Sequence, residues 1–375
     1  MENVQLFKAN LSQAALEAVQ KVLSSGWLGL GPVTAAFEEA FARHVGSRYA
    51  VATNSGTSSL HLAAVVSGLG PGDEVITTPF TFVSTNHVLL YQGAVPVFGA
   101  IDPRTCNLDP ASVVRLITPR TKAIMVVHYG GYPAELEPLY HLAAEHGLRV
   151  IEDAAHGMGA AYKGRKIGAW GLTCFSFHAV KNIGLGDGGM VTTNDEETYR
   201  RLRRLRWLGI DKDTFTRTVE DHGKASPQAW LYDVTEVGFK YHMNDITAAL
   251  GLEQLKLLES ENARRREIAD QYRAGLNHPE IICWSPESDV DHLSSQHLFT
   301  IQAPRRDKLI ADLKAQGIEP GVHYKPNHLY PMYAGCGGET QVAEEVFGRI
   351  MSLPLHTLLR DEDVARVITA INQGW

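Results

Sequence analysis

The chain has 375 residues, of which 44% are apolar and 21% charged, a balance ordinary for a globular enzyme and too apolar for a disordered chain. Its length exceeds the usual ceiling for one hydrophobic core, which predicts a large domain with a smaller one attached. The formal net charge of −7 excludes a general nucleic-acid binder, because phosphate backbones are held by clustered Lys and Arg.

Residues 1–8 show no basic segment followed by an apolar one, and no run reaches the roughly 18 apolar residues that cross a bilayer. The expectation is a cytoplasmic protein without a membrane partner. Two helices are predicted at 11–24 and 34–44. Their link, Gly26-Trp27-Leu28-Gly-Leu-Gly-Pro32, reads either as a hinge or as a surface that meets a partner or ligand.

From about residue 47 to 195, short β-rich runs alternate with helical stretches, as in α/β layered domains. Strands are predicted at 49–53, 74–78, 95–98, 123–127, 149–152, 174–177 and 189–193, and helices at 58–67, 83–91, 111–117 and 136–146. Strands joined by such helices run parallel with helices on the sheet faces, and ligands collect at their carboxyl ends. The dense basic stretch Arg200-Arg201-Leu-Arg203-Arg204-Leu-Arg206 is expected to be a solvated helix face, with Leu202, Leu205 and Leu208 turned away from it. A long helix over 245–276 leads from the large domain, placed at 1–250, into the small one at 251–375. The four cysteines are scattered without a C-x-x-C pair, so reduced thiols are expected and neither a disulfide framework nor a metal site.

Several places along this pattern could carry chemistry. At Thr53-Asn-Ser-Gly56-Thr57-Ser58 a strand ends, glycine turns the chain and hydroxyls open a helix, which suits a phosphate or a plain Ser cap. Thr77-Thr-Pro-Phe-Thr-Phe82 puts a ring just after a strand end, where a planar ligand or the core could use it. Leu148-Arg-Val-Ile-Glu-Asp153 ends an apolar strand in a carboxylate, which needs a cation or several donors unless it caps the next turn. A protonated pyridine nitrogen is one such cation. His156 follows, as a structural histidine or a neighbour of such a ring.

Lys181 comes after an aromatic strand, where desolvation favours the neutral amine that attacks aldehydes. Ser176, at that strand's end, could bind phosphate. Gly184-Leu-Gly186-Asp187-Gly-Gly189 satisfies the dinucleotide fingerprint in form, but a strand rather than a helix should follow, so it reads as a turn that lets backbone approach a lysine-bound ligand.

Taken together, Ser55-Gly56-Thr57, Thr81-Phe82, Glu152-Asp153-Ala-Ala-His156 and Ser176-Phe-His-Ala-Val-Lys181 with Gly186-Asp-Gly-Gly189 resemble the sugar aminotransferases of the DegT/DnrJ/EryC1/StrS family. Ser24-Ser-Gly-Trp27-Leu-Gly-Leu-Gly-Pro32 and Gly238-Phe-Lys-Tyr241-His-Met-Asn244-Asp245-Ile look like that family too, so the resemblance covers nearly the whole chain. It implies an α/β protein of fold type I, the aspartate aminotransferase architecture, with a mostly parallel central sheet and a smaller C-terminal α/β domain. It implies pyridoxal 5′-phosphate bound on Lys181 as an internal aldimine, Asp153 paired with the pyridine nitrogen, Phe82 over one ring face, and Gly56, Thr57 and Ser176 on the phosphate, with His156 close by as a further cofactor and catalytic residue.

The same resemblance implies a homodimer in which Asn244 reaches the partner subunit's cofactor phosphate. The substrates would be a nucleotide-linked keto sugar and glutamate in amino sugar and polysaccharide biosynthesis, with Trp27, Leu28, His323, Tyr324 and His328 on the substrate side. Two features depart from the usual pattern: Asp187 stands where Glu is commoner, and the segment 207–217 occurs in only part of the family. Alternatives are a dehydratase or cyclitol aminotransferase of the same family, and a non-catalytic regulatory protein on the same fold. The relatives that act as dehydratases have His in place of Lys181, and a regulatory protein should have lost Lys181 or Asp153.

Overall fold

The computed structural model describes residues 3–211, 231–283 and 286–375. Helices α1 (Gln13–Ser25) and α2 (Pro32–Val45) come first. There follow β1 (Tyr49–Thr53), α3 (Gly56–Val66), β2 (Glu74–Thr77), α4 (Ser84–Tyr91), β3 (Val95–Phe98), α5 (Pro110–Leu116), β4 (Thr121–Val127), α6 (Leu136–His146) and β5 (Arg149–Asp153). Two short strands, β6 (Ala161–Tyr162) and β7 (Arg165–Lys166), precede β8 (Leu172–Ser176), β9 (Gly189–Thr193) and α7 (Glu196–Leu205). The predicted elements of this region are all present. The helix expected from 58 starts two residues earlier, because Ser55 Oγ accepts from Ser58 N–H and draws Gly56 into the first turn.

One seven-stranded sheet runs in the order β1-β9-β8-β5-β4-β2-β3. Only β9 runs against the rest: it is antiparallel to both neighbours, while β8, β5, β4, β2 and β3 pair in parallel. Because a strand follows the glycine turn at 184–189, that turn is not a dinucleotide fingerprint. Side-chain alternation along the strands divides the core between the two sheet faces. Ala50, Ala52, Ile124 and Val126 join Phe37, Phe41 and Phe177 on one face, and Val51, Ala123, Met125 and Ile151 join Leu60 and Leu62 on the other.

The long helix α8 (Asp245–Gly275) begins in the first core, through Ala248, Leu255 and Leu258, and ends in another, through Ile268, Ala269 and Tyr272. That further core surrounds β12 (Phe299–Gln302), flanked by β10 (Ile282–Cys283) and β13 (Ile350–Leu353). The remaining strand, β11 (His292–Leu293), pairs with β6. Helices α9 (Arg306–Ala315), α10 (Gln341–Phe347) and α11 (Asp361–Asn372) complete the C-terminal part. The amino-terminal segment belongs to this part: Val4 packs in its core and bridges Ile318.

The basic stretch is a solvated face only in part. Arg200 pairs with Glu196, and Arg201 and Arg204 with Glu236, near the surface. Arg206 is 2% exposed, bonded to the Glu38 carboxylate and the Ala52 carbonyl. The helix stops at Leu205, so the chain turns Arg206 inward and leaves Leu208 exposed at a φ of 58° while Leu202 and Leu205 stay buried. The four cysteines are free thiols. Among the described residues no helix is long and apolar enough to cross a membrane.

Candidate active site

The carboxyl ends of β1, β4, β5 and β8 meet at a cavity of about 350 Å³, into which Lys181 and Asp153 both face. Asp153 is the last residue of β5, where the strand has left the core but not reached solvent. Its carboxylate accepts from Thr85 Oγ1 at 2.7 Å and from Ala155 N–H at 3.0 Å. Burial pushes its pKa up, against those two bonds and the Lys181 and His128 charges. Lys181 ends the turn after β8, its N–H donating to the His178 carbonyl at 2.8 Å. Burial lowers its amine to about 8, with Asp153 opposing the change. The cavity thus holds an easily deprotonated amine and a buried carboxylate whose hydrogen bonds do not fully offset its desolvation.

At another edge the first turn of α3 opens on the cavity, bringing Ser55, Gly56 and Thr57 beside Ser176. A Cβ on Gly56 would lie 2.7 Å from Ser176 Cβ, and one on Gly189 would lie 2.4 Å from the Ser55 carbonyl oxygen. Both glycines are therefore required by the approach of β8 and β9 to the helix start. The product is a concave cradle of hydroxyls at the positive end of a helix, suited to a phosphate.

The walls are aromatic. Phe82 is 57% exposed at the mouth, its ring 5.9 Å from that of Tyr324. His156 lies beneath Tyr324: its Nδ1 accepts from Gly130 N–H at 3.2 Å, and its Nε2 lies 3.1 Å from the tyrosine Oη. Burial, helped by Lys181 and His323, holds His156 well below the usual histidine range. His323 falls to about 4 through burial and Lys181, and its Nδ1 bonds Ser352 Oγ at 2.8 Å.

Three residues of this site carry no motif in the sequence. Thr85 could have been found as the last hydroxyl of the 77–85 run. Phe7 and His297 could not: Phe7 is delivered by backbone bonds of Val4 to Gly317 and Glu319 and of Leu6 to Leu355. It stacks on His297 at 5.7 Å, and His297 in turn lies 4.3 Å from His156.

Gly56, Thr57, Phe82, Asp153, His156, Ser176, Lys181, His323 and Tyr324 are thus gathered at one cavity. Four other predicted residues lie elsewhere on this chain. Trp27 is half-buried, its Nε1–H donating to the Leu30 carbonyl, and Leu28 is exposed. Their link is tied to the start of α8 by Asp245, which accepts from the N–H groups of Gly31, Val33 and Thr34. Asn244, next to it, caps α8 by accepting from Thr247 N–H, and its side chain is exposed. His328 bonds Glu344 at 3.0 Å. Of the segment at 207–217, residues from 212 onward lie outside the described ones.

A planar phosphorylated aldehyde fits the cavity's donor set: an amine to hold it, a buried carboxylate for its ring nitrogen, a hydroxyl cradle and an exposed ring. Comparisons with known proteins agree with this chemistry. The profile of the DegT/DnrJ/EryC1/StrS aminotransferase family matches residues 10–372. The spore coat polysaccharide biosynthesis protein SpsC of Bacillus subtilis is 40% identical over 374 residues, covering 96% of this chain and 94% of its own. S. venezuelae DesV, solved with a ketimine intermediate, superposes with a TM-score of 0.88 at 36% identity, covering 100% of this chain and 98% of that one. Helicobacter pylori PseC, an aminotransferase of pseudoaminic acid biosynthesis, gives 0.90 at 31% identity over 99% of both chains.

Proposed function

The chain belongs to the DegT/DnrJ/EryC1/StrS aminotransferase family, and from that premise we propose that it moves an amino group from glutamate to the keto group of a nucleotide-linked sugar in a ping-pong reaction. It is a sugar aminotransferase of fold type I that depends on pyridoxal phosphate. The observation that carries the proposal is the pairing of Lys181 and Asp153 across one cavity beside the Ser55–Thr57 cradle.

Pyridoxal phosphate supplies the aldehyde that takes up the amino group and the ring that makes the donor's α-proton acidic. Lys181 would hold the cofactor, and its Nζ would serve as the base and acid that carries the donor's α-proton. Asp153 keeps the pyridine nitrogen protonated, and its high, buried pKa is what pairing with a cation would relieve. Gly56, Thr57 and Ser176 hold the phosphate, and Phe82 covers a ring face. His156, neutral and bonded at both nitrogens, orients the cavity wall rather than exchanging protons.

His323 and Tyr324 stand nearest the acceptor sugar. Asn244, exposed at the head of α8, serves the cofactor phosphate of a second subunit in a homodimer with shared sites. Trp27 and Leu28, tied to the same helix start by Asp245, travel with it, and His328 lines the outer reach of the substrate. SpsC is named for spore coat polysaccharide biosynthesis and PseC for the biosynthesis of pseudoaminic acid, which supports an amino sugar product for polysaccharide biosynthesis here, made in the cytoplasm where nucleotide sugars are available.

The test is to supply L-glutamate with UDP- and dTDP-linked 3-keto and 4-keto hexoses and follow products by mass spectrometry. 2-Oxoglutarate beyond one equivalent per subunit, and an aminated nucleotide sugar, should appear only when donor and acceptor are both present. Loss of water from the sugar without any donor would establish a dehydratase instead.

A further inference from the structure

Asp153 stands between two opposing demands. Its carboxyl group is buried at the end of β5, and burial favours the form that carries a proton. A pyridine ring is a strong electron sink only while the proton it shares with that carboxyl stays on the ring nitrogen. In a low-dielectric cavity a neutral acid beside a neutral ring is the favoured arrangement, so the negative charge on Asp153 has to be held there.

Two donors hold it. Ala155 N–H reaches Oδ1 at 3.0 Å and Thr85 Oγ1 reaches Oδ2 at 2.7 Å, so each carboxylate oxygen already accepts one hydrogen. The Thr85 bond is the strongest influence against burial, ahead of Ala155 N–H and of the Lys181 and His128 charges. Cys174 on β8 and Tyr324 across the cavity also face Asp153, and both keep their protons, because burial and Asp153 itself raise them.

Thr85 is in turn set by its neighbours. Its Oγ1 lies 2.8 Å from Thr81 Oγ1. A threonine hydroxyl has one hydrogen, and since Thr85 gives its own to Asp153, Thr81 is the donor in that contact. Both threonines are buried, so water does not compete. Thr85 N–H donates to the Phe82 carbonyl at 3.2 Å, and the Thr81 carbonyl accepts from Asn327 Nδ2–H at 2.8 Å. Hydroxyls aligned head to tail in this way strengthen one another.

We propose that Thr85 is a positioning residue that keeps the shared proton on the cofactor's ring nitrogen rather than on Asp153, and that Thr81 aims its hydroxyl. The inference rests on the reading that the cofactor lies in this cavity with that nitrogen at Asp153.

The test observes the ring nitrogen itself. Apo-protein is loaded with pyridoxal phosphate carrying nitrogen-15 in the ring, and the resonance is recorded by solid-state NMR near neutral pH, with a melting temperature for every variant. The wild type should show a protonated ring nitrogen. Thr85→Val, which keeps the shape and removes the hydroxyl, should shift the resonance towards the neutral ring. The ratio of the two forms should change by about ten- to hundredfold, the worth of one hydrogen bond to a charged group. Thr85→Ser should restore the wild-type position, and Thr81→Val should shift it the same way as Thr85→Val by less.

A lower melting temperature in Thr85→Val with an unmoved resonance would mean a merely structural role and overturn the assignment. A neutral ring in the wild type overturns it too, as does a shift that Thr85→Ser fails to reverse. Asp153→Asn separates the two readings: a resonance indifferent to that change would remove the cofactor's placement at Asp153, and the Thr85 assignment with it.

Discussion

Asn327, in the loop after Tyr324, and Asn86, on α4, hydrogen-bond side chain to side chain at 2.9 Å, and neither is exposed. Asn327 also donates from its side chain to the Thr81 carbonyl at 2.8 Å and from its backbone to Pro79 at 2.7 Å. Asn86 accepts from Thr77 Oγ1 and donates to the Thr78 carbonyl. These bonds stitch the segment that carries Phe82 to the loop that carries His323 and Tyr324, so one buried pair sets the spacing of the cavity's two walls.

Asn327→Leu should strand the Asn86 amide and the Thr81 carbonyl, each at about 1–3 kcal/mol. Urea denaturation should show the loss of stability. In the folded holoenzyme KM for the acceptor should rise, while the half-reaction with glutamate, which does not need the outer wall, keeps its rate. Equal losses in both halves would contradict the stitching role.

Gly56→Ala tests the cradle directly. The added methyl would lie 2.7 Å from Ser176 Cβ, and since backbone φ is not the obstacle there, the conflict falls on the contact between α3 and β8. Cofactor affinity should drop by at least about tenfold, the equivalent of roughly 1.4 kcal/mol, measured by equilibrium dialysis of apo-protein. A variant with wild-type affinity would place the phosphate elsewhere.

How much was legible in the sequence follows from the range of the forces involved. Strand alternation and helix punctuation are local, and the strands and helices of the large part lie within a residue or two of expectation. Lys181, Asp153 and Gly56 were legible because each sits at a strand end or helix start, where a charge or a glycine needs a reason. Phe7 and His297 were not: they meet through backbone pairing between the chain's start and residues past 300, and nothing local marks them. Arg206 was misjudged for a related reason. Helix periodicity places it with its solvated neighbours, but α7 ends one residue earlier and Glu38, 168 residues away, draws it inside.

That buried pair makes a stability prediction. Glu38 also accepts from Ala52 N–H at 2.8 Å, so it joins α2 to β1 as well as holding Arg206. Glu38→Ala should cost about 3–5 kcal/mol by leaving a buried guanidinium unpaired, whereas Glu38→Leu with Arg206→Met should recover part of it, the remainder being lost at the Ala52 N–H and carbonyl that the pair serves. Chemical denaturation of the three proteins checks this. A double variant no better than the single would show that the ion pair itself, rather than the avoided orphan charge, matters.

The last prediction concerns Lys181 before the cofactor arrives. With its pKa lowered to about 8 by burial, roughly a tenth of the amine is neutral at pH 7, about 300-fold more than for a lysine at its ordinary value. Loading of pyridoxal phosphate into apo-protein should therefore speed up as pH rises through about 8 and level off above it. Asp153 opposes the lowering, so Asp153→Asn should move that midpoint down. The sign for stability follows from the same shift: between about 8 and the ordinary lysine value the unfolded chain binds the proton that the folded chain has released. Apo-protein should gain stability with rising pH across that window, and Lys181→Met should abolish the gain while stabilising the protein at pH 7. Loading that keeps accelerating to pH 10 would mean that the amine is not desolvated as the cavity requires.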